Sequence, residues 1–94
     1  MGLSFEWDPQ KTESNLKKHG VSFEEATTVF ADPLSLLIPD PLHSIEEERL
    51  ILLGRSNRYR TVVVVHTERG NNIRLISARL ATSQERRDYE EGIL

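Results

Sequence analysis

Apolar residues gather late in the chain, in two runs, Arg60–Thr67 and Ile73–Leu80, on either side of the turn-forming segment Glu68-Arg69-Gly70-Asn71-Asn72. The first run holds four successive valines, Val62–Val65, whose β-branched side chains suit a pleated strand. Gly70 and Asn71 tolerate the positive φ of a tight connection. The pattern predicts an antiparallel hairpin with a five-residue loop. An unbroken valine run implies cover on both faces, which places this strand at the centre of a sheet.

The rest of the chain arranges itself around that hairpin. Leu3, Phe5 and Trp7 alternate with polar residues, as in an edge strand. Asp8-Pro9 begins a helix that runs to about His19 and stops at Gly20. Leu16 is its only large apolar residue, and Lys11, Asn15 and Lys18 share one face, so it presents polar groups to solvent or to a partner. Ser22 and Glu25 have capping-box spacing and open a second helix with the stripe Phe23, Ala26, Val29 and Phe30, ended by Asp32-Pro33. Leu34–Ile38 reads as a strand, Leu42–Glu48 as a polar loop, and Arg49–Arg55 as a further strand. Thr82 and Glu85 form a second capping box, opening a helix that runs to about Glu91 and ends at Gly92. The expectation is one α+β domain over residues 1–94, in the order β-α-α-β-β-β-β-α, with a mainly antiparallel sheet, two N-terminal helices and a C-terminal helix.

Composition narrows the chemistry. The 94 residues include no cysteine, which excludes disulfides, thiolate metal sites and a cysteine nucleophile. No apolar run approaches a membrane span and no signal-peptide pattern opens the chain, so the expectation is a soluble cytoplasmic protein with no membrane partner. The net charge of −3 hides a segregation. Residues 1–48 carry ten acidic side chains against three lysines, whereas residues 49–87 carry nine arginines against Glu68 and Glu85. That suggests a basic face opposite an acidic one, although the segments can equally neutralise each other. Arg49, Arg55, Arg60, Arg74 and Arg79 fall on or beside strands. Strict alternation puts Arg79 and Arg74 on opposite faces unless a bulge intervenes. Such arginines need a carboxylate of the protein or an external anion, and phosphate matches the guanidinium fork. His19 suits the C-terminus of a helix, His66 lies on the side of Val62 and Val64, and His43 sits in a loop. Their spacing fits no metal motif, and no phosphate-loop, dinucleotide or nucleophile-elbow motif is present.

The segments Phe5-Glu6-Trp7-Asp8-Pro9-x-Lys11, Asn15, Lys18–Phe23 with Ala26, Phe30–Pro33, Glu48-Arg49 with Gly54, and Arg74–Arg79 followed by Glu85, Arg86 and Tyr89 together resemble the BrnT family of bacterial toxins. The resemblance spans nearly the whole chain. It implies a RelE-like fold and a type II toxin–antitoxin system whose toxin cleaves RNA and arrests translation. It also implies a BrnA-like ribbon-helix-helix antitoxin that neutralises the toxin, reaches operator DNA itself and represses the shared operon in a higher-order hetero-oligomer. No cofactor is called for. In metal-independent cleavage the ribose 2′-OH attacks the adjacent phosphorus, and the protein handles protons and charge. The expectation gives charge stabilisation to Arg49 and Arg79, with Lys11 and His19 nearby, His19 the preferred proton-transfer group and Glu85 a weaker candidate base. Lys18, Arg55, Arg60 and Arg74 would hold the RNA backbone. The alternatives are a catalytically inactive module that keeps antitoxin binding and repression, and an α+β domain whose arginines are all internally paired.

Overall fold

The computed structural model describes residues 3–43 and 47–92; the His43 side chain and residues 44–46 of the expected polar loop lie outside the described residues. Strand β1 (Ser4–Glu6) leads into helices α1 (Pro9–His19) and α2 (Phe23–Thr28), the latter tightening into a 3₁₀ turn over Val29–Ala31. Strands β2 (Leu36–Pro39), β3 (Leu50–Arg55), β4 (Thr61–Arg69) and β5 (Asn72–Leu80) follow, then helix α3 (Ser83–Glu91). A further 3₁₀ turn covers Pro41–His43, overlapping the start of the segment read as loop. The five strands form one sheet in the order β1-β5-β4-β3-β2, antiparallel except for the parallel pair β1–β5. The valine strand is central, as its composition requires. Its hairpin is tighter than expected, because the ladder continues to the pair Arg69–Asn72 and leaves Gly70 (φ 57°) and Asn71 as the connection.

One face of the sheet carries the main core. Val62, Val64, Leu75, Ala78 and Leu52 pack there against Val21, Phe23, Ala26 and Val29, with Phe5, Trp7 and Phe30 alongside. Alternation along β4 then turns Val63, Val65 and Thr67 to the opposite face. The register of β5 against β4 shifts between Val65–Ser77 and His66–Leu75, so Ile76 is an extra residue on β5. That bulge explains how Leu75 and Ala78, of opposite parity, are both buried on the helical face.

Two side chains fix the helical layer. Asn15 is buried on α1, where its amide donates to Val21 O (2.8 Å) and Ala78 O (2.7 Å) and accepts from Ala78 N (3.1 Å). β1 pairs with β5 only as far as Arg74, and farther along the strand the Asn15 amide takes the place of a missing neighbour. The expected solvent-presenting face of α1 is therefore corrected: Asn15 clamps the helix to β5. Ser22 Oγ accepts from Glu25 N at 3.0 Å, but the reciprocal half of the box is absent because the Glu25 carboxylate turns inward. It receives Ser56 Oγ at 2.7 Å, Arg60 Nε at 3.0 Å and a short contact from Arg60 Nη2.

Candidate functional site

The Ile76 bulge decides what the second face displays. Past it, Arg79 pairs with Val63 and Arg74 with Thr67, so both arginines stand on the face away from the main core. The β3–β4 register sets Leu53 beside Val63 and Ile51 beside Val65, and one step further Arg49 falls level with Thr67. Three rows result across β3, β4 and β5: Leu53, Val63 and Arg79; Ile51, Val65 and Ser77; Arg49, Thr67 and Arg74. Leu53, Val63 and Thr67 are buried, and the other six side chains, the three arginines included, are half-buried. The face is an apolar strip rimmed by guanidinium groups.

Helix α3 closes one end of this face. Arg79 donates to both Glu85 oxygens, Nη1 at 2.8 Å and Nη2 at 2.9 Å. Glu85 also accepts from Thr82 N at 2.8 Å, completing the capping box read from the sequence. The Arg79 hydrogen bonds, then the Thr82 amide and the arginine's charge, outweigh burial and hold the Glu85 carboxyl at about 2. One turn on, Tyr89 OH donates to Asp32 Oδ2 at 2.6 Å, and the Arg55 guanidinium lies 5.6 Å from the centre of the Tyr89 ring. Asp32 also accepts from the Leu34 and Arg55 amides at 2.9 and 2.8 Å. Burial raises the Asp32 carboxyl, but these donors and the Arg55 charge prevail and keep it below the usual range. Gly54 lets this cluster close, because a Cβ there would meet Ser35 Cβ and Val29 Cγ1 at 2.9 Å.

Comparison with known proteins decides the family. The family model described as "Ribonuclease toxin, BrnT, of type II toxin-antitoxin system" matches residues 7–85. The chain belongs to the BrnT toxin family. A similar fold is seen in the 1.1 Å crystal structure of the Brucella abortus ribonuclease toxin BrnT, with a TM-score of 0.68 and 22% identity over 87% of this chain and 100% of that one. The search of curated proteins found no match.

Within this BrnT chain, the residues singled out from sequence do not form one cluster. Arg49, Arg74 and Arg79 share the face away from the helices, each half-buried. Two inter-strand spacings and four residues of strand nevertheless separate the Arg49 and Arg79 backbones by about 16 Å, so they cannot start from one point on a substrate. Lys11, Lys18 and His19 are exposed on α1, on the opposite side of the sheet. His19 shares an end of the sheet with Arg79, since the adjacent Gly20 carbonyl accepts from Arg60 Nη2 at 2.9 Å. Lys11 lies about 12 Å back along the helix from His19. Arg60 is committed to Glu25 and Gly20, an internal pairing that leaves it poorly placed for RNA. Arg74 lies 3.9 Å from Glu6, and Arg55 4.0 Å from Glu90. Glu85 orients Arg79, and a carboxyl held at about 2 is a poor proton acceptor at neutral pH. His66 is buried against Phe30, with ring centroids 4.8 Å apart, and burial lowers its imidazole pKa. Several family-motif residues serve the architecture: Asp8 caps α1 by accepting from Gln10 N at 2.9 Å, and Asn15, Asp32 and Gly54 lock elements together. The Asp32–Tyr89–Arg55 cluster escaped the sequence reading, although Tyr89 and Asp32 both stand in the motif.

Proposed function

We propose that this chain is a metal-independent endoribonuclease acting on the Arg79 side of the open sheet face. The observation that carries the reading is the Ile76 bulge, which turns Arg79 and Arg74, both half-buried, to the same face as Arg49. Arg79 stabilises the charge that builds on phosphorus after attack by the ribose 2′-OH. Glu85 acts on it from behind, using one hydrogen on each terminal nitrogen. Nε of Arg79 has no hydrogen-bond partner among the described residues, and it faces substrate with the remaining Nη2 hydrogen. Preorganised donors of this kind act where charge develops. Arg49 and Arg74, flanking Thr67, hold a flanking stretch of backbone, with Arg55 and Lys18 beyond. Water takes the 2′-OH proton and returns one to the leaving 5′ oxygen, while His19, an exposed imidazole at the Arg79 end but on the other side of the sheet, meets RNA that wraps that end.

The wider setting is our inference, with family membership as its support. Cleavage arrests translation, a ribbon-helix-helix antitoxin of the BrnA type covers the toxin, and the complex represses its operon in the cytoplasm. Among the described residues no helix is long and apolar enough to cross a membrane. A RelE-like ancestry is consistent with a small antiparallel sheet backed by two N-terminal helices.

The chemistry is tested on the products. Antitoxin-free protein with end-labelled RNA in excess EDTA should yield 2′,3′-cyclic phosphate and 5′-hydroxyl ends, and a 2′-O-methyl group at the scissile nucleotide should abolish cleavage. Ends bearing 5′-phosphate, or activity lost to EDTA, would contradict the 2′-OH route.

A further inference from the structure

A cleft of about 480 Å³ opens where β3 leaves the sheet, walled in part by Thr28, Asp32, Arg55, Asn57, Tyr59 and Tyr89. Its outer wall is the β3–β4 connection, where Tyr59 has φ 62° and is 85% exposed. A bulky residue in the left-handed region is a genuine outlier, costing on the order of a kilocalorie that glycine or asparagine would avoid. Packing returns nothing here, because the ring stands in solvent.

The loop that holds the ring is firmly tied. Ser56 N donates to Arg60 O and Tyr59 N to Ser56 O, both at 2.9 Å. Asn57 N donates to Thr28 Oγ1 at 2.9 Å, and Ser56 Oγ to Glu25 at 2.7 Å. The structure thus spends backbone strain on presenting an aromatic face at a fixed place.

We infer that this cleft is a subsite for an unpaired nucleotide of the RNA, the base stacking on Tyr59. The inference rests on the ribonuclease reading. An exposed ring offers a π-face to any base, and the Asn57 amide can meet a base edge. Arg58, with a side chain 67% exposed, and Arg55, at 42%, supply phosphate contacts. Glu25 and Glu90 lie 3.8 and 4.0 Å from those guanidinium groups, and Asp32 is occupied by three donors. The cleft also adjoins the proposed chemistry. Glu85 and Tyr89, four residues apart on α3, face Arg79 and Arg55 respectively, and the row Arg55–Thr61 is next to the row of Arg79.

Tyr59→Gly separates folding from binding, because glycine suits φ 62° and should leave thermal stability equal or higher. Binding is read by fluorescence anisotropy with a labelled, uncleavable 2′-O-methyl oligonucleotide, and cleavage by KM and kcat on the unmodified RNA. Tyr59→Gly should raise Kd and KM about tenfold with kcat little changed, and Tyr59→Phe should restore both. RNA bound equally by parent and Tyr59→Gly would overturn the subsite while leaving the ribonuclease reading intact. Tyr59-dependent binding without cleavage by the parent would uphold the subsite and overturn the ribonuclease. A parent that ignores RNA and binds polyglutamate would overturn both, in favour of an acidic protein surface.

Discussion

Replacing Asn15 with alanine should destabilise the protein more than any other exchange on α1. The side chain makes three buried hydrogen bonds, at 2.8, 2.7 and 3.1 Å, two of them to the N–H and C=O of Ala78. Each bond contributes about 1 kcal/mol net, and a buried backbone group left unpaired costs about 1–3 kcal/mol. Ala78 is fully buried, so water does not readily replace the lost partner. The sum is about 3–4 kcal/mol, against roughly 5–14 kcal/mol expected for a domain of this length. In a chain of this size that corresponds to a fall in Tm of about 12–30 °C. Urea titration followed by Trp7 fluorescence, with far-ultraviolet circular dichroism as a second probe, measures it. Asn15→Asp adds a signature: its carboxylate would face the Val21 and Ala78 carbonyls, which raises its folded pKa, so its deficit should shrink as pH falls from neutral towards the unfolded aspartate value of about 4. An Asn15→Ala variant within 0.5 kcal/mol of the parent, at unchanged m-value, would refute the clamp.

Three further predictions concern groups that hold the site. Gly54→Ala should cost about 1–3 kcal/mol in a denaturant titration, since the new methyl meets Ser35 Cβ and Val29 Cγ1 at 2.9 Å. The Glu85 carboxyl falls from 4.5 to about 2 on folding, so its contribution is present above pH 4.5 and is lost as pH falls towards 2; the Tm gap between parent and Glu85→Gln should close over that window. His66 has a lowered folded pKa from burial, so the unfolded chain takes up the proton first and stability drops as pH falls below 6.5; His66→Leu should remove that part of the slope in a pH series of Tm values.

Much of the fold was legible because its signals are local. The valine run, the Asp8-Pro9 start, Gly20 and Gly92 in the left-handed region, and the Thr82–Glu85 box each act over a few residues. The site was less legible because its geometry depends on one extra residue. Alternation alone separates Arg74 from Arg79, and only the register shift at Ile76 brings them to one face. Pairing across the fold was also hidden: that Arg60 belongs to Glu25, 35 residues away, or Tyr89 to Asp32, 57 away, has no mark in local sequence. Asn15 misled for the same reason, since a polar residue on a polar helix looks solvated until β5 is laid beside it.

The central claim is that chemistry occurs at Arg79 on the open sheet face. Its most direct test is single-turnover cleavage of end-labelled RNA in EDTA by the parent, Arg79→Ala and Arg79→Lys, each confirmed folded by circular dichroism. The account predicts a rate loss of about 10²–10³-fold for Arg79→Ala, with Arg79→Lys recovering only part of it because an ammonium cannot reproduce the fork. Cleavage by folded Arg79→Ala at the parent's rate would contradict it.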